Sequence, residues 1–284
     1  MFLVILKATD AVHLSIQFIS SNTNLELEMK KLFKSAVAVA ALTLASNVAL
    51  ADLKIGIAAE PYPPFAEKAP DGNWQGWEIE FIDAVCTAME EECELVPVAW
   101  DGIIPALLSE RFDAIMASMS ITEERMKTID FSNKYYNTPP VIVAAKSADI
   151  SGDPASLDGK IVGVQVSTIH ANYADAYFAD SADIKSYATF DEHNQDLFAG
   201  RVDAVVADGL ALQDFLKSDQ GGDFEIKAEL SDVAIFGPGV GAGVRKGDTE
   251  LAEKINAAID TIRADGTYDK FSADYFDFNI FGDE

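Results

Sequence analysis

Cysteine and histidine are scarce in this chain, and their scarcity excludes the commonest kinds of protein metal centre. Among 284 residues there are two cysteines and three histidines. The histidines, His13, His170 and His193, are scattered, and no Cys/His cluster has the spacing of a zinc site. The sequence therefore predicts neither a metal site nor a bound cofactor.

Basic residues are also few, which bears on the partners of the protein. The 21 Lys and Arg residues face 47 Asp and Glu residues, giving a net charge of −26 at neutral pH. No basic stripe is available to neutralise phosphates, so the composition argues against nucleic acid and against anionic membrane surfaces. A negative field favours cationic ligands, although solubility alone is a sufficient reason for the charge.

The main apolar run, near the N-terminus, is too short and alanine-rich for a membrane span. It follows Lys30, Lys31 and Lys34 and ends at Ala49-Leu50-Ala51, the layout of a secretory signal peptide over residues 29–51. No cysteine follows Ala51, which argues against a lipid anchor there. Residues 1–28 precede a complete signal and match no targeting pattern, so we interpret them as a start codon placed too far upstream.

Cys86 and Cys93 both lie in the exported part, where an oxidising compartment would allow a disulfide. Seven residues apart on one continuous helix, they would be about 10 Å distant, too far to bridge. A bridge therefore requires the helix that starts near Trp77 to end near residues 90–92. Two free thiols are the alternative.

The stretch Trp100 to Asp130 organises the rest of the chain. A buried strand over Ala114–Ala117 leads into Ser118 and Ser120, and the pattern Ser120-x-x-Glu123 predicts a capping box that opens a helix. Arg125 then falls in the first helical turn, where the dipole favours anions rather than a cation. Beside free N–H groups it would hold a carboxylate; a solvated Arg125 paired with Glu124 is the alternative.

A repeat of this stretch indicates a second α/β unit. Residues 201–208 (RVDAVVAD) match residues 111–118 (RFDAIMAS), and each copy ends a predicted buried strand in a polar residue, Ser118 or Asp208. Ligands of open α/β sheets bind just outside such strand ends. An acid that ends an apolar strand also costs free energy unless a cationic or donor group meets it. We therefore expect Ser118 and Asp208 to face one shared cleft.

The chain is expected to cross twice between the two lobes, near residues 139–145 and near residues 237–243, where prolines and glycines interrupt the pattern. Lobe 1 would comprise residues 52–139 and 243–284, and lobe 2 residues 140–242. Two adjacent linkers are what a hinge requires. In lobe 1, three prolines stiffen the loop that follows the strand Leu53–Ala58, and this loop should present Tyr62 and Phe65.

Several segments together resemble the periplasmic solute-binding proteins of polar amino-acid ABC transporters, bacterial extracellular solute-binding family 3. The lysine/arginine/ornithine- and histidine-binding branch is the most similar. The resemblance covers nearly all of residues 52–282 and is carried by these motifs: Tyr62-x-Pro64-Phe65, Gly76-Trp77-Glu78-Ile79-Glu80, Asp113–Thr122 with Arg125, Gly200–Ala204, Asp265–Tyr268 and Tyr275-Phe276.

The resemblance implies an α/β protein of the two-lobed type II periplasmic-binding fold, each lobe a mostly parallel sheet flanked by helices, joined by a two-segment hinge. It implies a bridge between Cys86 and Cys93, a monomer, a periplasmic location in a Gram-negative bacterium, and docking on a membrane permease. It also implies an amino-acid ligand and three sets of contacts: Arg125, Ser120, Thr168 and Ser167 for the α-carboxylate; Asp208, Ser118 and Ser120 for the α-ammonium; Tyr62, Trp100, Glu60 and His170 for the side chain.

Departures from the family pattern affect the side-chain pocket more than the α-amino and α-carboxylate contacts. Residues 166–170 (VSTIH) stand where Gln-Gly-Thr-Thr-Gln is usual, and His170 therefore replaces a glutamine. Ala117 replaces a common serine, and Trp77-Glu78 replaces Phe-Asp. An L-α-amino acid is the expected ligand class, and Glu60, Tyr62 and Trp100 favour a basic one.

Two other functions use the same fold. Some relatives dehydrate cyclohexadienyl amino-acid precursors, and such an enzyme needs a general acid or base in the cleft, for which His170 or Glu60 would be the candidates. A ligand-binding partner of a sensory receptor is the other alternative. Nothing else in the sequence favours either, and we expect a binding protein without catalytic activity.

Overall fold

A computed structural model describes residues 53–282, so the predicted signal peptide and residues 1–28 lie outside the described part. Among the described residues, no helix is long and apolar enough to cross a membrane. The strands are β1 (Leu53–Ala58), β2 (Glu67–Lys68), β3 (Trp74–Gln75), β4 (Cys93–Val98), β5 (Ala114–Ile115), β6 (Ile129–Tyr136), β7 (Pro140–Ala145), β8 (Ile161–Gln165), β9 (Asp183–Tyr187), β10 (Ala204–Asp208), β11 (Phe224–Glu229) and β12 (Val240–Arg245).

Nine α-helices alternate with these strands in the described residues. They are α1 (Trp77–Ala88), α2 (Ile103–Leu108), α3 (Glu123–Met126), α4 (Ile169–Tyr177), α5 (Phe190–Phe198), α6 (Gly209–Lys217), α7 (Val233–Phe236), α8 (Thr249–Ala264) and α9 (Thr267–Ser272). Short 3-10 turns occur at Trp100–Gly102 and Pro154–Leu157.

The strands form two five-stranded sheets, with the orders β4-β1-β5-β12-β6 and β11-β7-β10-β8-β9, and β2 pairs with β3 in a small hairpin. In each five-stranded sheet, four strands run in one direction and one is opposed: β12 in the first sheet and β7 in the second. The expectation of two mostly parallel sheets flanked by helices is confirmed.

The opposed strand of each sheet is the strand by which the chain enters that sheet from the other one. β7 follows β6 of the first sheet yet pairs with β10 and β11 of the second. β12 follows the last strand of the second sheet and pairs with β5 and β6 of the first. The connections before β7 and before β12 therefore both run between the sheets.

The sequence repeat has a physical counterpart in the two central strands, β5 and β10. Asp113 lies just before β5, and its carboxylate accepts a hydrogen bond of 3.0 Å from the N–H of Lys54 in β1. Asp203 lies just before β10, and its carboxylate accepts one of 2.9 Å from the N–H of Ile161 in β8. Each aspartate thus satisfies a backbone donor at the start of a neighbouring parallel strand.

Helix α1 ends before it could separate the cysteines. Its last helical residue is Ala88, and Glu90 takes a positive φ of 58°, which turns the chain back so that the N–H of Glu91 bonds the carbonyl of Cys86. Cys86 and Cys93 are joined by a disulfide, and their Cα atoms are 6.2 Å apart. The predicted bridge is present, with the helix ending two residues earlier than expected.

An aromatic cluster fills the first sheet's core and holds α1 against the C-terminal helices. Trp77 is fully buried, and its indole N–H donates to the Ser272 hydroxyl at 2.9 Å. Phe65 is also fully buried and stacks on Tyr136 with ring centroids 4.8 Å apart. The expectation that the proline-rich loop presents Phe65 is therefore wrong, because that ring completes the core while Tyr62 faces the cavity described below.

The disulfide should contribute measurably to stability. Closing a loop of this length removes conformational entropy from the unfolded chain worth about 2 kcal/mol. We expect reduction of the ligand-stripped protein to lower its free energy of unfolding by about that amount in urea titrations. A C86S/C93S variant is the control, since its midpoint should not respond to reductant; equal midpoints for the oxidised and reduced wild type would contradict the prediction.

Candidate functional site

Both repeat strands end beside a buried carboxylate, but only in β10 does the carboxylate belong to the strand itself. After β5, Ser118 has a φ of 55°, and its N–H and hydroxyl donate to the two oxygens of Glu78 at 2.7 and 3.0 Å. The Tyr135 hydroxyl also donates to Glu78. Burial raises the pKa of the Glu78 carboxyl, and these hydrogen bonds oppose the rise. The Ser118 carbonyl is not engaged by this network.

Asp208, the last residue of β10, is buried and has contacts from both sheets. The Tyr62 hydroxyl, from the loop after β1, donates to Asp208 Oδ2 at 2.5 Å. His170, in α4, places Nε2 3.2 Å from Asp208 Oδ1, but the contact lacks hydrogen-bond geometry. A carboxylate can accept about four hydrogen bonds, so Asp208 retains unused acceptor positions.

Arg125 lies in a helix whose start differs from the predicted one. The N-cap is Thr122, whose hydroxyl accepts from the Arg125 N–H at 3.2 Å, and α3 has only four residues. The capping box predicted at Ser120 is therefore wrong: Thr122 supplies the same hydroxyl acceptor two residues later. Ser120 instead lies beside Val240 in an isolated antiparallel bridge.

The Arg125 guanidinium connects the two sheets. It donates to the carbonyl of Ser120 at 2.9 Å and to the carbonyl of Ser167, beyond β8, at 3.2 Å. Its central carbon is 5.5 Å from the centre of the Trp100 ring. Burial lowers the pKa of Arg125 to about 10, with nearby Asp208 and Glu124 opposing the change, so the group stays cationic at neutral pH.

The turn between β8 and α4 faces Arg125. Ser167 has a φ of 60°, a left-handed conformation that suits the glycine usual in this family better than serine. Thr168 caps α4, since its hydroxyl accepts from the Ala171 N–H at 3.1 Å. The first N–H groups of α4 therefore point towards the same region as Arg125.

Trp100 and Glu60 complete the side of the site formed by the first sheet. The indole N–H of Trp100 donates to the carbonyl of Val166 at 3.1 Å, which is a second contact with the β8–α4 turn. Glu60 accepts from the Trp100 backbone N–H at 3.2 Å. Glu60 therefore lies at the cavity but is partly engaged with its own sheet.

One cavity between the sheets brings these groups together. Nine of the ten predicted ligand contacts line it, and the tenth, Ser167, contributes the carbonyl that bonds Arg125. The lining comprises Ile57, Ala58, Glu60, Pro61, Tyr62, Ala66, Glu78, Trp100, Met116, Ala117, Ser118, Ser120, Arg125, Gln165, Thr168, Ile169, His170, Phe190, His193, Val206, Ala207 and Asp208. Among residues 53–282, no group of three or more metal-binding side chains is arranged to hold an ion.

Four polar or aromatic lining residues were not predicted from the sequence: Glu78, Gln165, Phe190 and His193. Phe190 packs edge-on against Tyr62, with ring centroids 5.2 Å apart, and joins the two sides of the cavity. Glu78 belongs to the motif Gly76–Glu80, but its burial could not be predicted, because acidic residues are common in the first turn of a helix. Nothing in the local pattern around Phe190 and His193 distinguishes them from ordinary core residues.

Residues 53–278 match the family of bacterial extracellular solute-binding proteins, family 3. The chain belongs to this family. It is 43% identical over 258 residues to an L-arginine-binding protein of Pseudomonas aeruginosa, covering 89% of this chain and 99% of that protein. It is 37% identical to a lysine/arginine/ornithine-binding periplasmic protein of Escherichia coli, again covering 89% of this chain and 99% of the relative.

Solved structures of family members share the fold. An ancestral arginine-binding protein bound to arginine superposes with a TM-score of 0.73 at 36% identity, covering 79% of this chain and 98% of that one. An ancestral amino-acid-binding protein described as a precursor of cyclohexadienyl dehydratase gives a TM-score of 0.69 at 32% identity, covering 79% and 95%. The expected resemblance and the type II fold are confirmed.

The raised pKa of Glu78 gives a prediction on stability. The folded state holds this proton more tightly than the unfolded state, so the contribution is fully present below the ordinary value of 4.5 and is lost as pH rises through the folded value. We expect the stability of wild type relative to Glu78→Gln to fall from pH 4 to pH 7 in urea titrations. Glu80→Gln, an exposed change on the same helix, should give no such trend; parallel curves for Glu78→Gln would contradict the prediction.

Proposed function

We propose that this protein is the periplasmic substrate-binding component of an amino-acid ABC importer. The observation that carries the proposal is the pair Arg125 and Asp208 in one cavity, a half-buried cation close to a buried carboxylate. This pair matches the α-carboxylate and α-ammonium groups that every L-α-amino acid has. Family membership and the named ligands of the relatives support the same conclusion.

The α-carboxylate is proposed to bind Arg125 together with N–H groups of Ser120, Ser167 and Thr168. The guanidinium uses two of its five N–H donors on the Ser120 and Ser167 carbonyls, which leaves donors for a ligand. The bridge between Ser120 and Val240 uses the N–H of Ile121 and the carbonyl of Met119, so the Ser120 N–H is not consumed by it. A carboxylate at this point would receive charge-assisted hydrogen bonds.

The α-ammonium is proposed to bind Asp208, the Ser118 carbonyl and the Ser120 hydroxyl. An ammonium group has three N–H donors, and these three acceptors satisfy them. The phenol of Tyr62 already donates to one Asp208 oxygen and so fixes the carboxylate for the ligand. This assignment explains why a strand should end in a buried acid.

The side chain is proposed to lie among Tyr62, Trp100, Glu60 and His170, and the site favours a basic amino acid such as arginine, lysine, ornithine or histidine. Once Arg125 and Asp208 are neutralised by the ligand's own zwitterion, the remaining acids of the lining favour a cationic end group. The named ligands of the relatives, arginine and lysine/arginine/ornithine, agree with this preference.

Closure of two lobes is the proposed mechanism of capture. Lobe 1 would be residues 52–139 with 243–284, lobe 2 residues 140–242, and the connections near 139–145 and 237–243 would form the hinge. A ligand that contacts both lobes favours the closed state by its differential affinity for that state. The closed monomer would then dock on the membrane permease, after export through the predicted signal peptide at residues 29–51 and cleavage to the periplasmic form.

Binding without catalysis is proposed, in preference to a dehydratase. Of the two candidate acid–base groups, Glu60 already accepts from the Trp100 backbone, and His170 lies beside Asp208, the proposed ammonium-binding group, without a hydrogen bond to it. The neighbour that is called a dehydratase precursor is itself described as an amino-acid-binding protein. Prephenate turnover by the purified protein would reverse this proposal.

A thermal-shift screen of ligand-stripped protein tests the function directly. We expect a rise in Tm with L-arginine, L-lysine, L-ornithine or L-histidine, because ligand binding stabilises only the folded state.

Arg125→Ala should weaken binding of every amino acid by at least about 100-fold, since it removes the shared carboxylate contact. Lys127→Ala, an exposed cation two residues on, is the control, and near-wild-type affinity in Arg125→Ala would refute the assignment.

Asp208 can be tested separately through the ligand. Asp208→Asn should weaken lysine binding by roughly 10- to 1,000-fold in calorimetry, because it removes the charge opposite the α-ammonium. It should weaken 6-aminohexanoate, which is lysine without its α-amino group, far less. Asp214→Asn, an exposed change in α6, is the matched control. Equal losses for both ligands would rule out the ammonium role of Asp208.

A further inference from the structure

His193 is a buried polar side chain whose hydrogen bonds are not accounted for. It is completely inaccessible to solvent, and neither ring nitrogen has a hydrogen-bond partner among residues 53–282. The amide of the adjacent Asn194 is close enough to affect the ring's titration, but it does not reach either nitrogen in hydrogen-bond geometry. Unpaired polar groups in a protein interior are costly, so such a group calls for a partner that is absent from the protein itself.

The position of His193 indicates where that partner would come from. Helix α5 begins with a capping box at Thr189, which fixes Phe190 and His193 one turn apart on the same face. Both side chains line the cavity that contains Arg125 and Asp208. The His193 and Phe190 rings are 4.9 Å apart at their centres, and Phe190 in turn contacts Tyr62. His193 is therefore part of the cavity wall, behind the rings of Phe190 and Tyr62.

The imidazole of His193 is neutral under physiological conditions. Burial lowers the pKa of His193 to about 3, and the nearby His170 adds to the effect. A neutral imidazole has one N–H donor and one acceptor nitrogen. The acceptor can therefore receive a hydrogen bond without first losing a proton.

The charges around the cavity indicate which kind of ligand group would meet this acceptor. Glu60, Glu78 and Asp208 line the cavity against the single cation Arg125 among the described residues. When the α-carboxylate and α-ammonium of a ligand are paired to Arg125 and Asp208, the remaining acids favour one kind of end group. They favour a group with N–H donors and a positive charge over a group that has only hydrogen-bond acceptors. Guanidinium, ammonium and imidazole groups meet this requirement.

We propose that His193 is a further specificity-determining residue, whose ring nitrogen accepts a hydrogen bond from an N–H group at the far end of the ligand's side chain. This inference rests on the proposed amino-acid-binding function. It adds the residue that contacts the end of the ligand's side chain. It also gives His193 the partner it lacks within the protein. A ligand with the same length but no terminal N–H would leave the imidazole unsatisfied.

Calorimetry with matched ligands tests this role. His193→Leu removes the acceptor and places an apolar side chain of similar bulk at this position. We expect it to lower the affinity for the best basic amino acid by roughly 10- to 100-fold. Norleucine, which is lysine without its terminal amine, should bind the variant at least as well as it binds wild type. His193→Gln offers a carbonyl acceptor and should recover part of the loss. Gln195→Leu, exposed on the same helix, controls for changes in α5.

Nitrogen-15 NMR of the histidine rings gives a readout that a purely structural role would not move. Arginine or lysine at saturation should shift a ring nitrogen of His193, assigned by its absence in His193→Leu, whereas norleucine should leave it unchanged. Unchanged His193 nitrogens with bound arginine and lysine, or an equal loss for lysine and norleucine in His193→Leu, would overturn the inference. Failure of wild type to bind any amino acid would instead refute the proposed function.

Discussion

The buried carboxylate of Asp208 is the constraint on which the site depends. A charge removed from water costs several kcal/mol unless donors surround it, and the protein supplies one hydrogen-bond donor to it among the described residues, the Tyr62 hydroxyl. That donor comes from the first sheet, whereas Asp208 ends the central strand of the second. The same interaction therefore ties the sheets together and leaves acceptor capacity in the cavity, which is the property that an α-ammonium group requires.

The two repeat strands show how one pattern serves two roles. Both end beside a buried carboxylate, but the Glu78 carboxylate is already met by the Ser118 N–H, the Ser118 hydroxyl and Tyr135. The hydrogen-bonding capacity of the Glu78 carboxylate is thus met within the protein, and its bonds hold Ser118 in a left-handed conformation. Glu78 therefore positions Ser118 and does not need a ligand. Asp208 is the unsatisfied member of the pair. Hydrogen-bond satisfaction, rather than charge or burial, separates Glu78, which positions Ser118, from Asp208, the proposed binding acid.

The repeat, the two crossings between the sheets and nine of the residues that line the cavity could be predicted from the sequence. They depend on local pattern: apolar runs, a polar residue at the strand end, and prolines or glycines at the crossings. The N-cap of α3 could not, since Ser120 and Thr122 offer the same chemistry and a neighbouring strand decides between them. Phe65 and Tyr62 share one loop, and only the packing of Phe65 on Tyr136 separates core from cavity. Phe190 and His193 belong to none of the motifs, so only three-dimensional contact shows that they line the cavity.

The contacts between the two sheets contribute free energy that a ligand need not supply. Arg125 and Trp100 donate to two consecutive carbonyls, Ser167 and Val166, in a turn that a serine with positive φ forms at some cost. These contacts need no ligand, so they join the two sheets in its absence. Under the proposed closure of two lobes, a ligand would have only to supply the remaining difference in free energy between the open and closed states. In the proposed function Arg125 also holds the ligand's α-carboxylate, which would complete a connection that the protein has already half formed.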